Sequence, residues 1–494
     1  MTKIKSNLRR ALILSFAQKY TSLAFNLLTV IIVSRLLTPK QIGVFSVAAG
    51  LTALASMLRT FGVSEYLVQE KALDEATINT AFTVNLVLAW IVAGVLFAVS
   101  GLIGGFYGDP GVGQVLRVMS VTFILSPFGT TALALLQRDM AFGTLYKIRL
   151  GEVLVRAGVT IGLAFAGFGY MSMAWASLAA IIAWIAGCTV WGHAYRARGL
   201  SLSAWRRMAP FGVNQTATDI IIQLGMQSAN IVVGKMLGLT AAGFYSRGNS
   251  IVQMFREKVV SAIGAVAYPA FAKEHREREA APELFIRSLV YLTGISWPFF
   301  GFATLMAFPI IRTLFGDQWD AAVPVMRWLC GAAIVGTLIY QCNYFFTAIG
   351  RVGVVTAVEI QYQLMRLGLA ILAAVYSIEA VAASQILVYA IAAVLYYRKL
   401  TRYESLTITK LITALFPSGV VTLTTCIIPA VVILWPGFRS GHYLLALIVA
   451  AIGAGLGWLM GLILTNHPLM SEIKRGVINS CRYIRGIRAK ATSE

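Results

Sequence analysis

The sequence predicts an all-α integral membrane protein with about fourteen transmembrane helices, arranged as two pseudo-symmetric six-helix bundles plus two C-terminal helices. Hydrophobic residues make up 58% of its 494 residues and the mean hydropathy is +0.76, which is more apolar surface than a soluble core of this size can hide. The apolar segments are long and unbroken, so they favour helices over the short alternating strands of a membrane barrel. A sequence pattern that recurs about 200 positions later indicates the two bundles.

Each predicted span is an apolar segment of about twenty residues, the length of helix that crosses the roughly 30 Å hydrocarbon layer. The first six lie near 11–34, 41–60, 78–104, 113–136, 145–168 and 171–193. The second six lie near 209–234, 240–268, 284–309, 321–348, 353–376 and 378–398, and the last two near 410–435 and 441–465. The first span lacks a small-residue cleavage site after it, so we expect it to be retained.

Two pairs of similar segments predict a duplication. Segments 31–37 and 43–46 resemble 231–237 and 243–246, and segment 106–109 resembles 314–317. An even number of spans separates the copies, so both halves enter the membrane in the same orientation and are related by an axis along its normal. We therefore expect an N-terminal half at 1–200, a C-terminal half at 201–403, two additional helices at 404–466 and a basic tail at 467–494.

The net charge of +21 could indicate nucleic-acid binding, but its distribution favours a membrane. If the N-terminus is cytoplasmic, roughly 26 of the 41 Lys and Arg residues fall in segments on that side and about five on the other. The positive-inside rule then predicts that both termini are cytoplasmic, with the basic tail against anionic headgroups. We expect no nucleic-acid partner.

The motifs of soluble catalysis do not occur in the sequence. It contains no HExxH, GxGxxG, Walker or GxSxG motif, no DxD pair and no CxxC pair among its five cysteines. The four histidines lie at span edges or in loops, where we expect them to be solvated, and the loops are too short for a catalytic domain. These features predict a secondary transporter rather than an enzyme, with no cofactor and no metal site.

Ionisable residues within the predicted spans are the candidate site. A charge at this depth costs a few kcal/mol, so it normally faces a wet cavity or a partner. The bases Lys19, Arg117, Arg149, Arg156, Arg247, Arg256, Lys258, Arg327 and Arg366 outnumber the acids Glu152, Asp219, Glu257 and Glu359. A cavity lined by such cations would attract a diphosphate or an acidic sugar, because arginine offers paired donors to phosphate oxygens.

Simpler roles remain open for several of these charges. Some lie close enough to a predicted span end to extend to the headgroups: Arg59, Arg117, Arg149 and Arg327. Glu152 and Arg156 are spaced for an intrahelical pair, and the segment 256–258 could form a local ion-pair cluster. Lys19 and Asp219 occupy equivalent positions in the two halves, which suggests an ion pair that breaks during transport.

Many segments resemble one known family. They are 34–39 (SRLLTP), 42–45 (IGVF), Gly62, 135–142 (LLQRDMAF), 230–238 (NIVVGKMLG), 243–247 (GFYSR), 268–271 (YPAF), 314–319 (LFGDQW) and 322–324 (AVP). The sequence is similar here to the polysaccharide transporter (Wzx type) branch of the multidrug/oligosaccharidyl-lipid/polysaccharide (MOP) flippase superfamily. The similarity covers most of the first twelve spans. Its closest subgroup exports exopolysaccharide or colanic-acid-like repeat units.

The resemblance implies a MATE-like fold and a flippase of the bacterial inner membrane. Its substrate would be an undecaprenyl-diphosphate-linked oligosaccharide for exopolysaccharide or lipopolysaccharide biosynthesis, moved between leaflets by alternating access. A polysaccharide polymerase and assembly proteins are the expected partners. We expect substrate contact from Lys19, Arg247, Arg256, Lys258 and Arg366, and proton or sodium coupling at Asp219 and Glu359. Members often carry an acid where this chain has Ala229, so the resemblance leaves the coupling ion open.

Two other functions fit part of the sequence. A multidrug or cation antiporter of the same superfamily should line its cavity with acids, whereas this chain has an excess of bases within the spans. A membrane-embedded polysaccharide polymerase or ligase would act on the same lipid-linked sugars, but such enzymes usually carry a large periplasmic loop, and the predicted loops are short.

Overall fold

The computed structural model describes residues 20–70, 73–192, 199–277, 281–404, 407–434 and 441–475. Within these ranges the protein is helical and contains no β-strand. Lys19 and most of the basic tail lie outside the described residues. The chain divides into two compact units, Met1–Ser246 with Gln363–Val381 and Arg247–Tyr362 with Ala382–Glu494. The arrangement expected from the sequence, two six-helix halves followed by two additional helices, stays a prediction together with its boundaries.

The helices follow one another with short connections. The first eight are α1 (Tyr20–Leu36), α2 (Pro39–Thr60), α3 (Val63–Gln69), α4 (Glu75–Tyr107), α5 (Pro110–Leu125), α6 (Pro127–Arg138), α7 (Phe142–Phe165) and α8 (Met171–Trp191). The next five are α9 (Trp205–Met236), α10 (Leu239–Phe255), α11 (Ser261–Glu277), α12 (Ala281–Leu305) and α13 (Ala307–Phe315). The last five are α14 (Ala322–Ala348), α15 (Val352–Ala374), α16 (Ile378–Glu404), α17 (Ile408–Leu434) and α18 (Tyr443–Leu464).

The chain is a multi-pass membrane protein. Among the described residues, eight helices are long and apolar enough to cross a bilayer, or nine if α5 and α6 form one bent span. The described helices overlap the apolar segments expected from the sequence. Helices such as α7, with 24 residues, are long enough to cross but carry several charges. The count of fourteen spans stays a prediction.

Local sequence explains where these helices begin. Thr38 caps α2: its hydroxyl accepts from the Gln41 amide, while the Gln41 side chain accepts from the Thr38 amide. Pro39 occupies the first turn, where its missing N–H costs nothing. Asp74 caps α4 through the Thr77 amide, and Asp109 caps α5 through the Gly111 amide. These caps also hold the connections in fixed conformations.

Two glycines allow α2 and α10 to pack backbone to backbone within the first unit. A Cβ atom on Gly43 would lie 1.7 Å from the Leu239 carbonyl oxygen, and one on Gly243 would lie 2.0 Å from the Pro39 carbonyl oxygen. Gly43 and Gly243 are equivalent positions of the predicted duplication. The contact is therefore reciprocal, since each copy of the repeat presses its glycine against the first turn of the other helix.

The ends of α4 and α9 are joined close to that contact. Lys235 on α9 lies 4.0 Å from the Phe106 ring centroid and donates to the Phe106 carbonyl, and Tyr107 donates to the Ile231 carbonyl. Asp109, just beyond α4, forms a 2.9 Å ion pair with Lys40. Burial alone would raise the pKa of the Asp109 carboxyl, but the Lys40 and Gly111 hydrogen bonds together with the Lys40 charge lower it.

The second unit contains a buried histidine, so the expectation that all four histidines are solvated is wrong for His467. Its side chain is 1% exposed and makes a 3.1 Å hydrogen bond to Ser418 on α17, which in turn bonds Thr293 on α12. Gly294 makes room for the ring, because a Cβ there would lie 2.6 Å from His467 Cε1. Burial lowers the pKa of His467. The polar chain ties α12 to the C-terminal helix pair.

Candidate functional site

Two of the predicted site residues lie in the first unit. Arg366 on α15 is 6% exposed and donates to Gln363 one turn earlier, at 3.3 Å. This pair packs on α9, where a Cβ on Gly225 would lie 2.0 Å from Gln363 Oε1. Asp219 lies half-buried on the same helix α9. Lys19, the predicted partner of Asp219, lies outside the described residues, so the proposed inter-half pair stays a prediction.

Arg247 is a buried cation in the second unit. Its side chain is 8% exposed, and its guanidinium carbon lies 5.9 Å from the Phe315 ring centroid and 5.7 Å from that of Trp319. Such ring faces attract a cation, more strongly where water is excluded. Its Nε has no hydrogen-bond partner within the described ranges. These contacts hold Arg247 against Phe315 and Trp319, and its role as a substrate ligand stays a prediction.

The remaining predicted residues are also in the second unit. Arg256 and Lys258 lie in a π-helical turn, Arg256–Val260, that joins α10 to α11, and Arg256 donates to Gln253 at 2.6 Å. Such turns often mark functional sites. Glu359 on α15 is 7% exposed and accepts a 3.4 Å hydrogen bond from Tyr396 on α16. The structure therefore separates the predicted set into several local environments, each with its own partners.

A cavity of about 400 Å³ lies inside the first unit, between helices α2, α3, α5, α6, α7 and α8. Charged and polar side chains form much of its wall. The lining residues are Arg59, Thr60, Ser64, Met119, Thr122, Ser126, Thr130, Leu133, Arg149, Glu152, Arg156, Ser177, Ile181 and Trp184. Three arginines and one glutamate thus line a half-open space among these helices, and the Arg149 and Arg156 side chains stay 38% and 43% exposed.

Helix α7 supplies a chain of three charges to this cavity. Arg149 donates to one oxygen of Glu152 at 3.0 Å, and Arg156 donates to the other at 2.8 Å. The spacings of three and four residues place all three side chains on one face of α7. Glu152 is the eleventh residue of that helix, about 15 Å from its start, which is near the middle of a bilayer core if α7 spans it.

Arg59 reaches the cavity from the last turn of α2. Its Nη1 donates to the Ser126 hydroxyl at 2.8 Å, and its guanidinium carbon lies 5.8 Å from the Phe123 ring centroid. Among the described residues, no carboxylate lies within ion-pair distance of Arg59. It is the cation of this cavity that no acid neutralises.

A helix break positions the Arg59 acceptor. Helices α5 and α6 meet at a 55° bend between Ser126 and Pro127. Pro127 has no N–H for the carbonyl four residues earlier, that of Phe123. The Ser126 hydroxyl donates to this carbonyl instead, at 3.0 Å, and its oxygen accepts from Arg59. The bend and the cationic side chain are therefore joined through one serine.

The other hydroxyls of the cavity wall offer acceptors. They donate to carbonyls of neighbouring turns: Thr60 to Met57, Thr122 to Met119, Thr130 to Ser126 and Ser177 to Met173. Their oxygen lone pairs stay available for a ligand that carries hydroxyl donors, such as a sugar. Trp184 adds an aromatic face, packed so closely on Gly129 that a Cβ there would lie 2.8 Å from the ring.

Sequence reasoning assigned this set to simpler roles. The sequence predicts that Arg59 and Arg149 extend to headgroups and that Glu152 pairs with Arg156. That pair is present, but Arg149 shares the same carboxylate. Two signals were available in the sequence, the 149, 152, 156 spacing and hydroxyls at every fourth position from 122 to 130. Within the described ranges, no three His, Cys, Asp or Glu side chains form a group that could hold a metal ion.

A family model described as "Polysaccharide biosynthesis protein" matches residues 32–324, more than half of the chain. The chain belongs to this family. The resemblance expected from the sequence is confirmed. The matched region includes every residue that lines the cavity.

Curated relatives of the chain are named for polysaccharide biosynthesis. Lipopolysaccharide biosynthesis protein WzxC of Escherichia coli (strain K12) is 26% identical over 64% of each chain. Succinoglycan biosynthesis transport protein ExoT of Rhizobium meliloti (strain 1021) is 26% identical over 69% of this chain and 68% of its own. The chain therefore spans slightly less than two thirds of the first of these relatives.

Solved structures share the fold. The lipid II flippase MurJ in an inward closed conformation superposes with a TM-score of 0.75, at 11% identity, over 93% of this chain and 99% of its own. An inward-facing multidrug resistance MATE family transporter of the MOP superfamily gives 0.58, at 14% identity, over 78% and 96%. At these identities the likeness shows the fold alone, and the chain has the MurJ- and MATE-like fold.

Proposed function

We propose that this protein is a flippase for undecaprenyl-diphosphate-linked oligosaccharide repeat units. It moves them from the inner to the outer leaflet of the bacterial inner membrane for exopolysaccharide or lipopolysaccharide biosynthesis, without chemical change to the substrate. The observation that carries the proposal is the cavity of the first unit, which combines an excess of arginine over acid with sugar-compatible hydroxyls. Membership of the polysaccharide biosynthesis family supports it.

The transport cycle proposed is alternating access between two six-helix halves, with fourteen spans and both termini in the cytoplasm. The reciprocal packing of Gly43 and Gly243 supports the duplication, since equivalent residues meet across a pseudo-twofold relation. Substrate contact at Arg247, Arg256, Lys258, Arg366 and Lys19, coupling at Asp219 and Glu359, and partnership with a polymerase and its assembly proteins belong to the same proposal.

Deletion of the protein tests this function. Cells without it should accumulate single, unflipped repeat units on the cytoplasmic leaflet. Loss of a polymerase or ligase would instead leave flipped, unpolymerised units on the periplasmic leaflet. In liposomes, the purified protein should move a fluorescent lipid-linked oligosaccharide from one leaflet to the other. A quencher present only on the side of the second leaflet should then reduce its fluorescence. Accumulation on the periplasmic leaflet, or no exposure in liposomes, would contradict the proposal, and expulsion of cationic drugs instead would favour the antiporter.

A further inference from the structure

We propose that the cavity of the first unit is the binding site for the diphosphate group of an anionic, lipid-linked sugar, with Arg59 as the cation that the ligand neutralises. This inference rests on the proposed function for the identity of the lipid and sugar. The diphosphate assignment itself depends on the cavity's charge, hydrogen-bonding capacity and size.

Charge is the first argument. Arg59, Arg149 and Arg156 bring three positive charges to the wall and Glu152 one negative charge, which leaves a net charge of +2. A diphosphate esterified at both ends, to a lipid and to a sugar, carries two ionised oxygens and therefore −2. A half-open cleft lined by an excess of one sign of charge concentrates ions of the opposite sign, so such a site favours a ligand of equal and opposite charge.

Donor capacity is the second argument. Arg149 and Arg156 each use one N–H group to bond the Glu152 carboxylate, and Arg59 uses one N–H group to bond the Ser126 hydroxyl. Each guanidinium has five N–H donors in a planar fork that matches phosphate geometry. Several donors therefore remain for phosphate oxygens.

Size and wall chemistry are the third argument. A volume of about 400 Å³ is at the lower end of the range of small-molecule pockets, so the cavity fits a diphosphate with an adjoining sugar rather than a whole repeat unit. The hydroxyl oxygens of Thr122, Thr130 and Ser177 add hydrogen-bond acceptors for sugar hydroxyls to the wall of the same cavity. The lipid chain and distal sugars would extend beyond it.

The test is binding to purified protein in detergent, which needs no transport. The probe is a farnesyl-diphosphate-linked monosaccharide, compared with the neutral farnesyl glycoside and with phosphatidylglycerol. The wild-type protein should bind the diphosphate probe and neither comparison lipid. Arg59→Gln should weaken its binding about tenfold or more, the loss typical of a hydrogen bond between charged groups. Arg327→Gln removes the same charge from an exposed residue of α14 outside the cavity and should leave binding unchanged.

A double variant separates charge from shape. Arg59→Gln with Glu152→Gln restores the net charge of +2, so it should recover part of the affinity that Arg59→Gln loses. A structural role for Arg59 would predict further loss instead, because the second change also frees Arg149 and Arg156 from their shared acceptor. Equal loss in Arg327→Gln, equal binding of phosphatidylglycerol, or unchanged binding in Arg59→Gln would each overturn the proposal.

A measurement on the unaltered protein covers the case in which a variant does not fold. Phenylglyoxal modifies accessible arginines, and the diphosphate probe should protect Arg59, Arg149 and Arg156 but not Arg327, as read by peptide mass spectrometry. Equal labelling with and without the probe would refute the site. Protection of the arginines without flipping in liposomes would support the binding site and refute the flippase function. Flipping without protection would support the flippase function and refute the binding site.

Discussion

Alanine at Gly43 or Gly243 should force the first turns of α2 and α10 apart. An added Cβ would lie 1.7 Å from the Leu239 carbonyl oxygen at Gly43, and 2.0 Å from the Pro39 carbonyl oxygen at Gly243. Real Cβ contacts do not come closer than 3.0 Å. The two backbones must therefore separate by about 1 Å or more at either site, because the opposing atoms are main-chain carbonyls that no side-chain rotation can move.

The expected magnitude follows from that displacement. Overpacking a tight contact typically costs about 1–3 kcal/mol, and a backbone obstacle places these substitutions at the upper end of that range. The two changes strain one contact, so their effects should not add. Once one alanine has separated the helices, the second Cβ meets less resistance, and the double variant should lose less stability than the sum of the single variants.

Thermal unfolding in detergent measures the effect. Gly94→Ala is the matched control, because it lies within α4 and a Cβ there meets nothing within 4 Å. That control should be neutral or slightly stabilised, since alanine favours a helix over glycine by up to about 1 kcal/mol. Stability of Gly43→Ala equal to that of Gly94→Ala, or full additivity in the double variant, would refute the reciprocal contact.

The same contact bears on transport. If the first turns of α2 and α10 separate in each transport cycle, the alanine variants should favour the separated state. A cysteine probe introduced by Lys40→Cys should then be labelled more in these variants than in the wild-type background. If the contact is permanent, labelling should stay at the wild-type level while stability alone falls. The two results separate a moving contact from a static one, and Gly94→Ala provides the baseline for both.

Three further outcomes follow from named contacts. Gly129→Ala should displace the Trp184 ring, 2.8 Å from the added Cβ, and weaken binding of the diphosphate probe, measured as above. Gly225→Ala should push Gln363 off α9 and lower the unfolding temperature relative to Gly94→Ala. Because burial lowers the pKa of His467, its contribution to stability should be complete above about pH 6.5 and be lost as the pH falls through the lowered value; His467→Gln should flatten that part of the stability–pH curve.

Helix starts were the part of the fold that the local sequence predicted well. The Thr38–Gln41 capping box, with Pro39 in the first turn, marks the start of α2 without reference to any other part of the chain. The apolar length of each segment similarly indicates a helix, since the bilayer imposes that length. Such features depend on neighbours within four residues, and the sequence displays them directly.

Side-chain partners across the fold could not be predicted in the same way. Arg59 and Ser126 are 67 positions apart, and nothing near Arg59 distinguishes an arginine at a helix end that extends to headgroups from one that turns inward. His467 follows the last apolar segment and was expected to be solvated. It is buried because Gly294, far away in sequence, lacks the Cβ that would occupy the space of its ring. Both outcomes depend on which helices are adjacent.

The charge balance of α7 shows how a site can be hidden by the interaction that makes it possible. Arg149 and Arg156 in one apolar helix would each carry an insertion cost, and Glu152 between them offsets part of it by pairing with both. From the sequence alone, that spacing predicts an ion pair within one helix that needs no ligand. For this reason the sequence does not predict these residues as substrate ligands. One carboxylate cannot neutralise two guanidinium groups, however, and Arg59 across the cavity adds a further unpaired charge. The excess becomes visible only when α2 and α7 are seen to line the same space.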